Sequence, residues 1–583
     1  MNVRAESSPP GAINEARDGM LIDWDVPIRM DDGLELRADV FRPAAEGRYA
    51  VLMGCGPYAK GLHFEDGRPG PWRALCREHP DVLAGSSHRY ACWEHIDPEK
   101  WVPHGYVCIR VDSRGTGRSP GYVDHWSPRE TKDLYDCIEW AGTQPWSNGK
   151  VGLTGISYLA MNQWQVAVMR PPHLAAICPW EGVSDHYRDC RRHGGILSTF
   201  MMHWFEARIV IAQYGVGERG ERNRITGRPV CGDETLTQEE LIRNRADLVR
   251  EMREHALLDE YFDRLNVDLS KIEVPLLSAG NWGGQGMHLR GNCEGFVQAS
   301  SPQKWLEIHN LEHWTHFYTD YGRELQKRFF DHFLRGIDNG WDKLPPVILN
   351  IRKVDGTTML RYEDAWPISR TRWTKLYLDP SKLSLSKEPP PSSRSVEYAA
   401  LKSGATFQIV LDEETEITGP SAAKLFVASS VIDADLFLTL RVFDPQGQEV
   451  TFQGANDAHT PMAHGWLRAS HRKHDAERTK PYQPCHTHDA PEPLRPGGVY
   501  ELDVEVWPTC IVIPKGYTLA LTVEGKDYVH DPDRSGTKNW FSSTSQHDDP
   551  GDRPLEGFGG TVTLYGGGQH PAYLLVPIVK NQN

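Results

Sequence analysis

Apolar residues alternate from Ile22 to Met30 (I-D-W-D-V-P-I-R-M) and again from Leu34 to Phe41 (L-E-L-R-A-D-V-F), around Asp31-Asp32-Gly33. Alternation on both sides of a D-G turn predicts a hairpin. Short, almost continuous apolar runs follow: Y-A-V-L-M-G from Tyr49, Y-V-C-I-R-V-D from Tyr106, K-V-G-L-T-G from Lys150, L-A-A-I-C-P-W from Leu174, V-P-L-L-S-A-G from Val274 and K-W-L-E-I-H from Lys304. Such runs suit strands covered on both faces. Helical patterns separate them. Leu134, Cys137, Ile138 and Ala141 share one face of a helix over about 129–142, and Tyr158 to Met169 contain no breaker. This alternation predicts an α/β fold, a mostly parallel sheet with helices on both faces.

The alternation stops between about 186 and 272, a helical, amphipathic stretch with an apolar cluster at Met201, Met202, Trp204 and Phe205. Inserted between two sheet strands, it reads as a cap. An irregular insertion over about 61–100 has the length of a lid. After about 370 short strands split by Gly/Pro turns take over, the pattern of an all-β jelly roll. The expected organisation is a flexible tail over 1–20, a catalytic α/β domain over 21–185 and 273–365, a helical cap over 186–272, and a C-terminal jelly-roll β-sandwich over 366–583.

With 583 residues, several domains are expected. The net charge of −15 and the absence of a basic run argue against nucleic acid or an anionic membrane as partner. The 11 cysteines are scattered singly, which reads as free thiols in a reducing compartment. The first residues lack the apolar core of a signal peptide, and no apolar run approaches the roughly 20 residues that span a bilayer. A cytoplasmic protein is expected, and the size of its β domain leaves room for a homo-oligomer.

Candidate chemistry centres on Ser157, in G-L-T-G-I-S-Y-L-A over 152–160. A serine on a sharp turn between strand and helix is a nucleophile elbow of the α/β-hydrolase type. The turn lifts the hydroxyl clear of the sheet and aims the Tyr158 N–H at a developing oxyanion. Ala160 stands where the usual G-x-S-x-G has its last glycine. The bland alternative is a serine capping a helix. A serine nucleophile needs a neutral histidine, and the histidine needs an acid, in the chain order Ser, acid, His. His309, His313 and His316 follow the last predicted parallel strand.

W-T-H at Trp314 to His316 resembles the W-S/T-H of the CocE/NonD hydrolases, an Xaa-Pro dipeptidyl-peptidase-like family of esterases and acylases. So do V-P-I-R-M-D-D-G-L-E-L-R-A-D-V-F-R-P, G-P-Y-A-K, V-D-S-R-G-T-G-R-S-P-G, G-I-S-Y, I-T-G-P and G-W-L-R-A-S-H-R. The resemblance spans nearly the whole chain. It implies Ser157 as nucleophile, His316 as general base, and the Tyr58 hydroxyl with the Tyr158 N–H as oxyanion donors. It also implies hydrolysis of a small carboxylic ester or amide through an acyl-enzyme, without a cofactor.

The chain departs from the family at the acid. The family's G-W-x-D aspartate falls on Gly284 of G-N-W-G-G-Q-G, and a glycine cannot orient a histidine. Glu181, just past the preceding strand, is the expected replacement; Asp185 and Glu294 are the alternatives. Met201, Met202, Trp204, Phe205 and Trp282 are expected to line an apolar pocket. C-H-T-H at Cys485 to His488 has poor metal-ligand spacing, so no metal is expected there. The rivals to an esterase are an amidase, peptidase or acylase of the same family, and a catalytically impaired ligand-binding protein on a hydrolase fold.

Overall fold

A computed structural model describes residues 13–530, 539, 541, 542, 544 and 546–580. Among these, seven parallel strands form the centre of the first sheet. In spatial order they are Tyr106–Asp112, Tyr49–Gly56, Ser147–Ile156, Leu174–Trp180, Leu276–Asn281, Lys304–His309 and Val347–Arg352. The hairpin Met20–Arg29/Glu35–Pro43 extends one edge and Thr358–Glu363 the other, all antiparallel. Residues 1–12 of the expected tail lie outside the described residues. The remainder is not a tail, because Ile13–Arg17 pairs with the hairpin as an edge strand.

Helices cover both faces. Pro128–Gly142 buries Leu134, Cys137, Ile138 and Ala141, the face its periodicity predicts, and Tyr158–Ala167 packs in the same layer. Asp320–Arg335 buries Phe329, Phe330 and Leu334 on the opposite face. Gly336, in the left-handed conformation at φ +69°, ends that helix. The 61–100 insertion is less irregular than its composition predicts. It folds into short helices that start at prolines, Pro69–Glu78, Pro80–Leu83 and Pro98–Trp101, where proline's missing N–H costs nothing. The 186–272 cap is a chain of helical turns, the longest α-helix being Leu248–Glu254, and Phe200–Trp204 runs on through Phe205–Ile209 to Val210–Ala212. Its apolar side chains join Tyr58, Tyr158 and Met161 in one buried cluster.

Strands between Thr371 and Val579 form the jelly-roll sandwich around its own core of Leu425, Leu438, Val504 and Leu521. A separate apolar cluster welds the two domains, with Trp282, Phe296 and Leu349 from the first facing Phe437, Trp466 and Trp507 from the second. One backbone contact there is very close. Gly283 lies against Gly454, where a Cβ on Gly283 would meet the Gly454 Cα at 2.4 Å. A neighbouring backbone cannot swing aside as a side chain can. Gly283→Ala is therefore expected to cost about 1–3 kcal/mol by overpacking. A lower urea midpoint in equilibrium unfolding is the expected result; an unchanged midpoint would show that the joint is slack.

Candidate active site

Ser157, Glu181 and His288 come from the C-terminal ends of three neighbouring parallel strands: Ser147–Ile156, Leu174–Trp180 and Leu276–Asn281. Ser157 is held at φ +55° and ψ −110°, a conformation an L-residue adopts only under constraint. The constraint is visible. The Ser157 N–H donates to Trp180 O at 3.0 Å and Glu181 O at 3.1 Å. Gly182 passes so close that a Cβ there would meet the Ala160 Cβ at 2.7 Å. That contact explains why only a small residue serves at position 160. Glu181 and Glu94 are also at positive φ, +50° and +62°. Strain costing about 1–3 kcal/mol per residue is thus concentrated around the serine.

The histidine beside Ser157 is His288, its Nε2 3.2 Å from the serine Oγ. The expected base, His316, does not line the serine's cavity. Its Nδ1 is 3.3 Å from Thr319 Oγ1 and its ring packs edge-on against His309 and Tyr321. The reason is local: the chain after His313 turns directly into the short helix Thr315–Tyr318, which carries His316 away. The loop Gly280 to Gly286, where the family's acid is missing, leads within two residues to His288 at the start of the next helix, and that position is the one sequence signal for it.

Glu181 lies behind His288. Its Oε2 is 3.8 Å from His288 Nδ1 and 3.0 Å from His313 Nδ1. Its Oε1 accepts from Asn281 Nδ2 at 3.1 Å and is 3.1 Å from His309 Nε2. The His288 and His313 rings stack at 4.9 Å and 10°. His313 Nε2 reaches Glu94 Oε1 at 3.3 Å, and His309 Nδ1 reaches Glu307 Oε2 at 2.8 Å. Burial alone would lower the pKa of all three histidines. Glu181 and Glu94 instead lift His313 to about 10, and Glu307 and Glu181 lift His309 to about 9. His288 is lowered to about 3 by burial and by the charge on His313. Glu181 is buried as well, yet His313 and His309 hold it well below the usual carboxylate range. The arrangement is a fixed carboxylate, two imidazolium partners and one neutral imidazole at the serine.

Glu181, His288 and His313 each offer one ligand atom within 4.8 Å of the others. Parallel rings do not point their in-plane lone pairs at one ion, and the 3.0 Å hydrogen bond already occupies the His313–Glu181 edge. The cluster fits a set of charge-paired side chains better than a metal site.

Tyr58 lines the cavity, and its hydroxyl accepts from Trp204 Nε1 at 3.0 Å. No acceptor among the described residues takes the phenol's own proton. Burial and nearby Glu94 push its pKa well up, so it stays a neutral O–H donor. A buried ion cluster pins its loop: Lys60 Nζ lies 2.7 Å from Asp25 and 2.8 Å from Asp39, and the Lys60 N–H donates to Asp112 at 2.6 Å. Tyr158, as the first residue of its helix, has an N–H with no intrahelical acceptor. Its side chain is buried below, donating to Glu130.

Met201 and Trp204 line the cavity, as do Met161, Phe200 and Met287. Met202 and Phe205 belong to the packed cluster behind it, and Trp282 is buried at the domain joint, donating to Asn350 O at 2.8 Å. Asp185 pairs with Arg188 at 2.7 Å, Glu294 accepts from Gln483 and Gln298 at 2.6 Å each, and neither lines the serine's cavity. Gly284 sits in the loop leading to His288, with its amide donating to Asn281 O.

Residues 32–318 match the X-Pro dipeptidyl-peptidase (S15 family), and residues 339–575 match the X-Pro dipeptidyl-peptidase C-terminal non-catalytic domain. The crystal structure of a CocE/NonD family hydrolase from Staphylococcus aureus superposes with a TM-score of 0.84 at 31% identity, covering 99% of this chain and 98% of that one. The chain belongs to the CocE/NonD family of hydrolases. Cocaine esterase from Rhodococcus sp. (strain MB1 Bresler) is 24% identical, over 95% of this chain and 98% of its own length. An α-amino acid ester hydrolase has the same fold, with a TM-score of 0.67 at 16% identity over 99% of this chain and all of that one. As a member of this family the protein is a serine hydrolase of esters or amides.

A base must be neutral to accept the serine proton. With His288 lowered to about 3, kcat/KM is expected to stay flat as pH falls through the ordinary imidazole value of about 6.5, and to drop only well below it. In His313→Gln, which removes the neighbouring positive charge, the acid limb should move upward. A wild-type limb near 6.5 would contradict this electrostatic picture. The measurement is a pH–rate profile on a non-ionising ester.

Proposed function

We propose that Ser157, His288 and Glu181 are the catalytic triad of this hydrolase, with the Tyr58 hydroxyl and the Tyr158 N–H as oxyanion donors. The observation that carries this is the 3.2 Å contact between Ser157 Oγ and His288 Nε2. His288 Nε2 takes the serine proton as Oγ attacks the acyl carbon. The imidazolium so formed faces the Glu181 carboxylate through Nδ1, which has no hydrogen-bond partner among the described residues. Two neutral donors then meet the tetrahedral oxygen. His288 returns the proton to the leaving group, which departs, and water repeats the sequence on the acyl-enzyme.

The preferred substrate is an ester. At 3.8 Å the Glu181–His288 link is longer than a hydrogen bond. A loosely steered imidazolium suffices for an alkoxide or phenoxide, whereas an amine must be protonated as it leaves. The free state of all 11 cysteines supports a reducing, cytoplasmic setting. Among the described residues no helix is long and apolar enough to cross a membrane.

The test is a panel of p-nitrophenyl esters and one anilide on wild type, Ser157→Ala, His288→Ala and His316→Ala. The first two substitutions should lower kcat by about 10⁴-fold or more. His316→Ala should keep activity of the wild-type order. The reverse pattern, His316→Ala dead and His288→Ala active, would return the base to the family's usual position.

A further inference from the structure

Two arginines stand on the wall between the serine's cavity and a second one. The first holds about 200 Å³ and the second about 450 Å³. Tyr58, Arg68, Trp93 and Arg208 line both. Arg68 is buried, with its guanidinium 5.0 Å from the Trp93 ring and 5.9 Å from Tyr58, and Nη1 donates to Gly67 O. Arg208 stacks on Phe541 at 4.5 Å. Among the described residues, neither has a carboxylate within 4 Å.

The other buried arginines have partners: Arg192 pairs with Asp552, and Arg110 and Arg191, which have no acid, donate to Ile96 O and the Tyr261 hydroxyl. Arg188, Arg290 and Arg468 are paired with Asp185, Asp189 and Asp435. Arg352 has no acid but is closed in, lying on Phe452 at 4.3 Å and donating to Cys510 O. Among all of these, only Arg68 and Arg208 line the serine's cavity. They also repel each other. Burial and the neighbouring Arg208 lower Arg68 to about 10. The one acid on the first cavity's wall, Glu94, is bound to His313 through Oε1 and forms no ion pair with either arginine, although its charge favours both cations. Glu221 on the second cavity is exposed to solvent. An anion placed between the two guanidiniums would relieve their repulsion and satisfy their free N–H groups.

We propose that the substrate carries a carboxylate, on the acyl or the leaving-group side, a few bonds from the scissile carbonyl, and that Arg68 and Arg208 bind it. This rests on the reading of Ser157 as nucleophile. The test compares charged esters with neutral isosteres: mono-p-nitrophenyl glutarate against the p-nitrophenyl ester of glutaric monoamide, and 4-acetoxybenzoate against 4-acetoxybenzamide. In at least one pair wild type should favour the anion by about tenfold or more in kcat/KM. Arg208→Gln and Arg68→Gln should each cut that ratio by about tenfold. Because Arg68 is buried, inhibition of wild type by glutarate against glutaramide is read in parallel; glutarate should bind more tightly. If neutral esters turn over and neither pair shows a preference, the inference is wrong and the hydrolase assignment stands. An anion preference that survives both substitutions also overturns it. If no ester turns over and a fluorophosphonate leaves Ser157 unlabelled, both readings fail together.

Discussion

A carboxylate with no access to solvent organises this site. Glu181 is fully buried, and a charge there is tolerable only with close, well-directed partners. His309, His313 and Asn281 supply them, each from a different direction. The same residue acts through its backbone. Its carbonyl accepts from the Ser157 N–H and its own N–H donates to Ala279 O at 2.7 Å, tying three parallel strands together at their C-terminal ends. Serine position, acid position and the protonation of the surrounding histidines are therefore one constraint.

The β domain takes part in the same construction. The Ala455 N–H donates to Gly283 O and the Ala455 carbonyl accepts from the His313 N–H, both at 3.1 Å. One jelly-roll residue thus bridges the loop that carries His288 and the loop that carries His313. Its neighbour Asn456 lines the cavity itself. The close approach of Gly283 to Gly454 accompanies this bridge, and a side chain at Gly283 would hold the backbones apart. The sandwich is a wall of the site as well as a cover for the sheet edge.

Much of this was legible in the chain. The alternating hairpin, the apolar strand runs and the serine elbow are local patterns, and the structure contains each of them. The helical face of Leu134, Cys137, Ile138 and Ala141 is buried as its period requires. What could not be read was which histidine meets the serine. His288 and His316 each lie in a plausible loop, and the choice depends on a single helical turn at Thr315–Tyr318. Motif resemblance favoured W-T-H, yet a motif fixes residue types and not the direction of a ring. The pocket expectation failed partly for a related reason: in a run of consecutive helical residues, Met201 and Trp204 face the cavity while Met202 and Phe205 face the packing behind it. Arg68 and Arg208 carry no motif at all, and only their place on the cavity wall without an acid partner marks them.

The relocated base is the central claim, and a crystal structure of the covalent adduct between Ser157 and an alkyl phosphonate tests it most directly. The account predicts His288 Nε2 within hydrogen-bonding distance of the serine Oγ or the leaving oxygen. It also predicts the Tyr58 hydroxyl and the Tyr158 N–H at about 2.7–3.1 Å from the phosphoryl oxygen. An adduct in which His313 or His316 occupies the position of His288 would contradict it.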